Sequence, residues 1–355
     1  MRYAAIGKDP KTRREVSVLS LGGMLFGTAT DEPTSFAILD RYVEAGGTFI
    51  DTSNNYAFWI NGSQGGESEE LLGRWRRSRG VGAEIVVATK LGARPLAPGT
   101  SFTDNAEGLS AKVIRESAER SRERLGMARL DLLYAHIEDP AVPLQETVEG
   151  FAELVADGTV GLLGVSNHWA WRVERARSLA AAAGLPGYEV LQYHHSYLRQ
   201  RTDLPGPPAA ARPGPAAPRP DHRGGVDLAT VRRGPLQDGD QGVLSRDLLS
   251  YLRAEPGLAL VAYSPLLAGG YVRRDKPLGA EFDHPGTPVR LAALREVARA
   301  AGATVNQVVL AWLIGADVPV IPLVGASSVA QLDESLAAVD LELTAQQRAR
   351  LDAAG

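Results

Sequence analysis

The 355-residue chain has no cysteine. Disulfides, thiolate metal sites and a cysteine nucleophile are therefore excluded, and nothing ties the chain to an oxidising compartment. An excess of charge of one sign is lacking too. With 38 Lys and Arg against 42 Asp and Glu, the formal net charge is −4, which gives no electrostatic case for nucleic acid or an anionic membrane as partner. No window approaches the roughly 20 uncharged apolar residues of a membrane span. The start, Met1-Arg2-Tyr3-Ala4-Ala5-Ile6-Gly7-Lys8-Asp9, has no apolar stretch of the secretory kind. The expectation is a cytoplasmic protein. The six histidines show no H-x-x-x-H spacing, and His194-His195 are adjacent, pointing to opposite faces of an extended chain, so no metal site is expected.

What is present is 44% hydrophobic residues, enough for a large core, arranged in a regular alternation. Short β-branched or apolar runs at 18–21, 48–51, 84–89, 130–134, 160–165, 188–192, 258–263 and 318–323 are each read as a strand. Amphipathic stretches between them are read as helices over 33–45, 68–77, 110–125, 144–157, 169–183, 289–301, 304–314 and 329–339. Asp31 or Glu32 can cap the first helix, and Gly126 and Gly158 can end the third and fourth. About eight strand-plus-helix units with near-continuous apolar strands imply parallel strands covered by helices. The count favours a closed (β/α)8 TIM barrel over an open sheet. Leu21-Gly22-Gly23-Met24 has glycines, but not in G-x-G-x-x-G spacing, which weakens the Rossmann alternative. Residues 1–17 are expected to form a hairpin under the barrel, and 344–353 an extra C-terminal helix. The whole chain, 1–355, is read as a single domain.

One segment breaks the pattern. Residues 205–242 are rich in Pro, Arg, Gly and Ala with almost no large apolar side chain, so little there offsets the entropy of ordering. A flexible loop between the sixth strand and its helix is the expectation, with a reading-frame artefact of a GC-rich gene as the alternative.

In a barrel of this kind, substrates sit where the strands end. The strand-end residues are Asp51 with Tyr56 beyond it, Lys90, His136, Ser166-Asn167, Gln192 and Tyr263-Ser264. Polar side chains from six consecutive strand ends converging on one mouth point to proton-transfer chemistry. A free tyrosine titrates near 10. A Lys ammonium beside it favours the phenolate, an aspartate holds that ammonium in place, and a histidine can orient a carbonyl oxygen.

The segments Phe49-Ile50-Asp51-Thr52-Ser53-Asn54-Asn55-Tyr56 and Gly66-Glu67-Ser68-Glu69-Glu70-Leu71-Leu72-Gly73 resemble the opening signature of the aldo-keto reductase family. Ala88-Thr89-Lys90, Gly164-Val165-Ser166-Asn167, Ala262-Tyr263-Ser264-Pro265-Leu266 and Ile321-Pro322-Leu323-Val324-Gly325-Ala326-Ser327 follow in the family's order. The resemblance covers nearly everything outside 205–242. It implies NAD(P)H-dependent reduction of an aldehyde or ketone, a keto-sugar among the candidates, with hydride from nicotinamide C4 and the proton from Tyr56. By the same resemblance Lys90 and Asp51 tune Tyr56, and His136 orients the substrate. Ser166, Asn167 and Gln192 bind the carboxamide and Tyr263 stacks on the nicotinamide. Ser264 and Leu266 follow the pyrophosphate, and Gly325, Ser327, Gln331 and Glu334 lie at the adenosine end.

Three departures from the family pattern stand out. Ser327-Ser328 occupy the place where a basic side chain often meets the 2′-phosphate of NADPH, which leaves NADH open as cofactor unless Arg273, Arg274 or Lys276 supplies the charge. Ser335 replaces an Asn near the adenine, and His195 replaces a Tyr. Phe58 and Trp59, with Asn61 and Gln64 nearby, are expected to wall the pocket. The alternatives are an NAD-dependent sugar or polyol dehydrogenase, a nicotinamide-binding regulatory subunit similar to potassium-channel β subunits, and a barrel with Lys90 as Schiff-base nucleophile. The last needs a neutral Lys90, which Asp51 opposes.

Overall fold

In the structure, a computed structural model, residues 1–60, 62–97, 105–201 and 241–355 are described. Most of 205–242 therefore lies outside the described residues, and only Gln241 and Gly242 of that stretch are placed.

Alternation of side chains along each strand organises everything else. β1 (Tyr3–Ile6) and β2 (Arg14–Ser17) form an antiparallel hairpin. β3 (Ser20–Gly22), β4 (Phe49–Asp51), β5 (Val86–Leu91), β6 (Leu130–Ala135), β7 (Val160–Ser166), β8 (Val190–His194), β9 (Ala259–Tyr263) and β10 (Val320–Gly325) pair in parallel and in sequence, and β10 closes back onto β3. The expected (β/α)8 barrel is the observed one. One parity of each strand faces inward: Phe49, Val86, Ala88, Leu132, Tyr134, Leu162, Val190, Val261, Ile321 and Leu323 form a single buried cluster. Ile6 and Val16 of the hairpin belong to the same cluster, so the hairpin closes the N-terminal end with apolar side chains. The opposite parity, including Ile50, Val87, Leu133, Leu163, Leu191, Leu260 and Val320, packs under the surrounding helices.

Those helices are α1 (Glu32–Glu44), α2 (Glu67–Arg79), α3 (Ala111–Leu125), α4 (Leu144–Ala156), α5 (Ala170–Ala182), α6 (Arg246–Ala254), α7 (Gly286–Ala301), α8 (Val305–Ile314), α9 (Val329–Ala337) and the C-terminal α10 (Ala345–Asp352). Local chemistry sets their ends. Asp31, not Glu32, caps α1 by accepting from the Thr34 N–H at 2.9 Å. Thr304 and Gln307 form a reciprocal capping box on α8, and Gly126 ends α3 in the left-handed region at φ 63°. Among the described residues, no single helix is long and apolar enough to cross a membrane.

The helical stretches read from the sequence do not include α6 (Arg246–Ala254), and the other differences lie at boundaries. β5 runs through Lys90 to Leu91 instead of stopping at Thr89, because Lys90 and Leu91 pair with Tyr134 and Ala135 of β6. β10 begins two residues late, where Val320 comes into register with Leu260.

Gly73 in α2 shows how closely the helical layer is packed. A Cβ there would lie 2.1 Å from the backbone carbonyl oxygen of Arg124, which cannot swing aside. Gly73→Ala is expected to destabilise the fold by about 3 kcal/mol, exceeding the roughly 1 kcal/mol that Ala gains over Gly in a helix. Urea unfolding of the variant measures this directly, and a midpoint equal to the parent's would refute the packing argument.

Candidate active site

Where the inward parity reaches the C-terminal ends of the strands, it changes from apolar to polar. Asp51 follows Phe49, Lys90 follows Ala88, His136 follows Tyr134, Gln192 follows Val190 and Tyr263 follows Val261. The same two-residue period that fills the barrel thus aims these side chains at its mouth.

Lys90 is fully buried and ion-paired with Asp51, which is equally buried. Its Nζ also donates to the Thr52 carbonyl at 2.8 Å and to the Tyr56 hydroxyl at 2.7 Å. The Tyr56 hydroxyl donates to Asp51 Oδ1 at 3.1 Å, and Gln192 Nε2 donates to Asp51 Oδ2 at 2.8 Å. Every polar atom of the buried pair is engaged, which is what a buried charge pair requires. Burial pulls the Lys90 ammonium down, and the Asp51 carboxylate opposes that.

Tyr56 departs from the sequence reading, in which Lys90 lowers its pKa. Burial raises the phenol well above its ordinary range, and the adjacent Asp51 carboxylate raises it further. The two effects outweigh the ammonium, so the phenol is held protonated, the form a proton donor needs. His136, edge-on to Tyr56 with ring centroids 6.1 Å apart, is pushed well below 6.5 by burial and by the Lys90 charge, and is neutral near pH 7.

Residues expected to hold the carboxamide lie together and at present satisfy one another. Ser166 Oγ donates to the Gln192 carbonyl at 2.8 Å. Asn167 Nδ2 donates to the His136 carbonyl at 2.9 Å and to Ser166 Oγ at 3.0 Å, while Asn167 Oδ1 accepts from the Tyr263 hydroxyl at 2.9 Å. Asn167 at φ 54°, Ser264 at φ 53° and Ala57 at φ 63° are non-glycine residues in the left-handed region, all at the barrel mouth. Backbone strain of that kind collects at functional positions.

The remaining expected residues form a second group at the start of α9. Ser327 gives both its N–H and its Oγ–H to Gln331 Oε1 at 2.9 Å, and Ser328 caps the helix. Gly325 ends β10, and a Cβ there would meet nothing within 4 Å. Glu334 accepts from Thr304 Oγ1 at 2.7 Å, which ties it to the start of α8. Leu266 is partly buried against the helical core. Arg273 is half exposed and ion-paired with Asp275. Ser335 donates to the Gln331 carbonyl at 3.2 Å, and His195 packs against Trp312, with ring centroids 5.8 Å apart. Phe58 and Trp59 stack edge to face at 4.9 Å just beyond Tyr56. Asn61 lies outside the described residues.

Several supporting residues escaped the sequence reading. Buried Glu107 accepts from Asn54 Nδ2 at 2.7 Å and from the Gly92 N–H at 2.8 Å, clamping the Tyr56 segment to the chain after β5. Buried Glu69 accepts from Thr89 Oγ1 at 2.6 Å and pairs with Arg124, fixing β5 beside Lys90. Tyr134 lies inside the barrel, with the Lys90 Nζ 5.7 Å from its ring centroid, and a Cβ on Gly164 would collide with that ring at 2.4 Å. Tyr134 was detectable, since it lies on β6 two residues before His136, which directly follows that strand. Glu107 carried no signal, because its partners are neighbours only in the fold. At the opposite end of the barrel a cavity of about 320 Å³ between the hairpin and α5, lined by Lys8, Arg177 and Tyr188, contains none of the polar mouth residues.

The sequence profile described as the Aldo/keto reductase family matches residues 18–204 and 241–355. Norsolorinic acid reductase A of Aspergillus parasiticus is 37% identical over 53% of this chain, and there the chain spans about half the relative's length, 49%. Norsolorinic acid reductase stcV of Emericella nidulans is 30% identical over 96% of this chain and 78% of its own. The uncharacterized oxidoreductase YrpG of Bacillus subtilis is 28% identical over 97% and 92%. With the profile spanning most of the barrel and the relatives aligned along it, the chain belongs to the aldo/keto reductase family, whose members are NAD(P)H-dependent oxidoreductases.

Proposed function

We propose that this chain reduces an aromatic aldehyde or ketone to the alcohol, with Tyr56 as proton donor. The observation that carries the reading is the protonated Tyr56 hydroxyl, hydrogen-bonded by the buried Lys90 ammonium at 2.7 Å and set beside a neutral His136. The relatives' printed names, norsolorinic acid reductase among them, and the Phe58–Trp59 pair favour an aromatic substrate. A keto-sugar is the second reading, favoured by the polar groups around the mouth.

The donor set suits a nicotinamide nucleotide. Neutral hydroxyl and amide groups on Ser166, Asn167 and Gln192 match a carboxamide, and the Tyr263 ring offers a stacking surface. The N-terminus of α9, with Ser327 and Ser328, suits a phosphate. When bound, the nicotinamide supplies hydride to the carbonyl carbon. Tyr56 turns its Oη–H from Asp51 to the carbonyl oxygen, and Lys90 stabilises the phenolate left at Oη. Asp51 and Gln192 keep the ammonium in place.

NADPH is the expected reductant. NADH is the second reading, favoured by the uncharged Ser327-Ser328. Calorimetric titration with each nucleotide, followed by turnover of 4-nitrobenzaldehyde, tests the proposal. Binding with steady turnover supports it, and preference for NADH moves it toward an NAD-linked dehydrogenase. Tight binding with almost no turnover matches a regulatory subunit. If neither nucleotide binds, the reading fails.

A further inference from the structure

Tyr56 and Lys90 reach each other from different parts of the chain. Lys90 belongs to β5, whereas Tyr56 ends an arm, 52–56, that leaves β4 without helix or strand. The 2.7 Å contact between the Tyr56 hydroxyl and Lys90 Nζ therefore depends on how that arm lies against the end of β5. Backbone bonds carry the alignment part of the way. The Thr52 N–H donates to the Ala88 carbonyl at 2.8 Å, and the Asn54 N–H to the Lys90 carbonyl at 3.1 Å. At Tyr56 the backbone turns back on the arm, its N–H meeting the Ser53 carbonyl at 3.4 Å, and Ala57 follows in the left-handed region at φ 63°.

A side chain completes the link. The Glu107 N–H donates to the Arg94 carbonyl at 2.8 Å and the Leu96 N–H to the Asn105 carbonyl at 2.9 Å, which sets Glu107 beside the exit of β5. Its Oε1 accepts from Asn54 Nδ2 at 2.7 Å and from the Gly92 N–H at 2.8 Å. Asn54 lies two residues before Tyr56, and Gly92 two residues after Lys90, so one oxygen atom joins the supports of both side chains. Oε2 is anchored separately, to Ser117 Oγ of α3 at 2.9 Å, with Arg94 and Arg120 at 3.4 and 3.7 Å. Asn54 Oδ1 is buried with no partner among the described residues, so the amide is held through its bond to Glu107. A charged acceptor makes a strong bond of this kind, and the burial of Asn54 and Glu107 keeps water from replacing it.

We infer that Glu107 is a positioning residue for the proton transfer. Its Oε1 sets the register of the Tyr56 arm against β5, and thereby the distance from the Tyr56 hydroxyl to Lys90. Glu107 exchanges no proton in the reaction and acts through Asn54 and Gly92. This role rests on the reductase reading above and adds to it a residue outside the barrel strands.

Glu107→Ala is expected to lower kcat for 4-nitrobenzaldehyde by about a hundredfold, the cost of a misplacement of about 1 Å. Nucleotide affinity should stay within about threefold of the parent's. The solvent deuterium isotope effect on kcat should rise, because slowed proton delivery then limits turnover in place of product release. A mere loss of folded protein would lower the rate and leave the isotope effect unchanged. Glu107→Gln keeps an acceptor at Oε1 and should recover most of the rate; a Gln variant as slow as Ala would overturn the role of that oxygen. Ser117→Ala removes a bond on the α3 side only and should match the parent in both kcat and isotope effect. If Glu107→Ala does not fold, Asn54→Ala carries the same expectations, since Glu107 then keeps its other donors. Parent-like kcat and isotope effect in Asn54→Ala would overturn the inference. Carbon-13 NMR of tyrosine labelled at Cζ, with Tyr56 assigned by difference against Tyr56→Phe, gives a readout that needs no turnover. The Tyr56 resonance should move in Asn54→Ala and not in Ser117→Ala, because its hydroxyl shifts relative to the Lys90 charge. An unmoved resonance in Asn54→Ala would overturn the inference whatever the activity. A parent protein that reduces no aldehyde would instead sink the reductase reading, with the resonance still deciding what sets the position of Tyr56.

Discussion

Replacing Tyr56 by Phe is expected to lower kcat for carbonyl reduction by about a hundred- to ten-thousand-fold, the range that a positioned proton donor contributes. The ring remains to pack beside His136 and under the Lys90 cation, whose Nζ lies 4.7 Å from its centroid. Only the Oη–H is lost, so the affinity for the nicotinamide nucleotide should stay within about threefold. Steady-state kinetics and cofactor titration of the same preparation separate the two effects. A variant that lost cofactor binding while turning over normally at saturation would contradict the role given to Tyr56. The Asp51 carboxylate also loses a donor in this variant, but Lys90 and Gln192 still hold it.

The second large effect is on stability. Lys90→Met leaves the Asp51 charge in a fully buried site with Tyr56 and Gln192 as its remaining side-chain donors. Removing one partner of a buried ion pair typically costs about 3–5 kcal/mol, because the desolvated partner is left uncompensated. The double variant Lys90→Met with Asp51→Leu should recover most of that loss while remaining inactive, since no buried charge is then stranded. Urea unfolding of the parent, single and double variants forms the test. If the single variant unfolds at the parent's midpoint, the pair does not hold the mouth of the barrel together. If the double variant is as unstable as the single one, the cost lies in packing and not in charge. Restored stability without activity would show that this pair is retained for chemistry.

Most of the barrel can be read along the chain, because its determinants are local. Apolar runs of strand length followed by amphipathic stretches set the order of elements, and residues such as Ser110, Thr304 and Gly126 mark helix ends by their own hydrogen bonds and dihedral angles. Barrel closure also follows from the number of units. The strand-end list is readable for a related reason. Alternation carries Asp51, Lys90 and His136 to the same face as the apolar residues two positions before them.

What the chain alone could not fix is anything that depends on distances between elements. The protonation of Tyr56 is one example. A lysine and an aspartate near a tyrosine push in opposite directions, and only the fold shows that burial and Asp51 prevail. The clamp by Glu107 is another, since its partners Asn54 and Gly92 lie on different loops. The hydrogen bonds that tie Ser53 to Asn55 and Asn55 to the Ala93 carbonyl behind His136 are a third, and none of these residues looks special in sequence. The sequence by itself determined the family, the alternation and the reactive side chains, because period and order are properties of the chain. The tertiary structure decided which of those side chains donate and which accept, because hydrogen-bond direction and desolvation exist only once separate strands and loops are brought together.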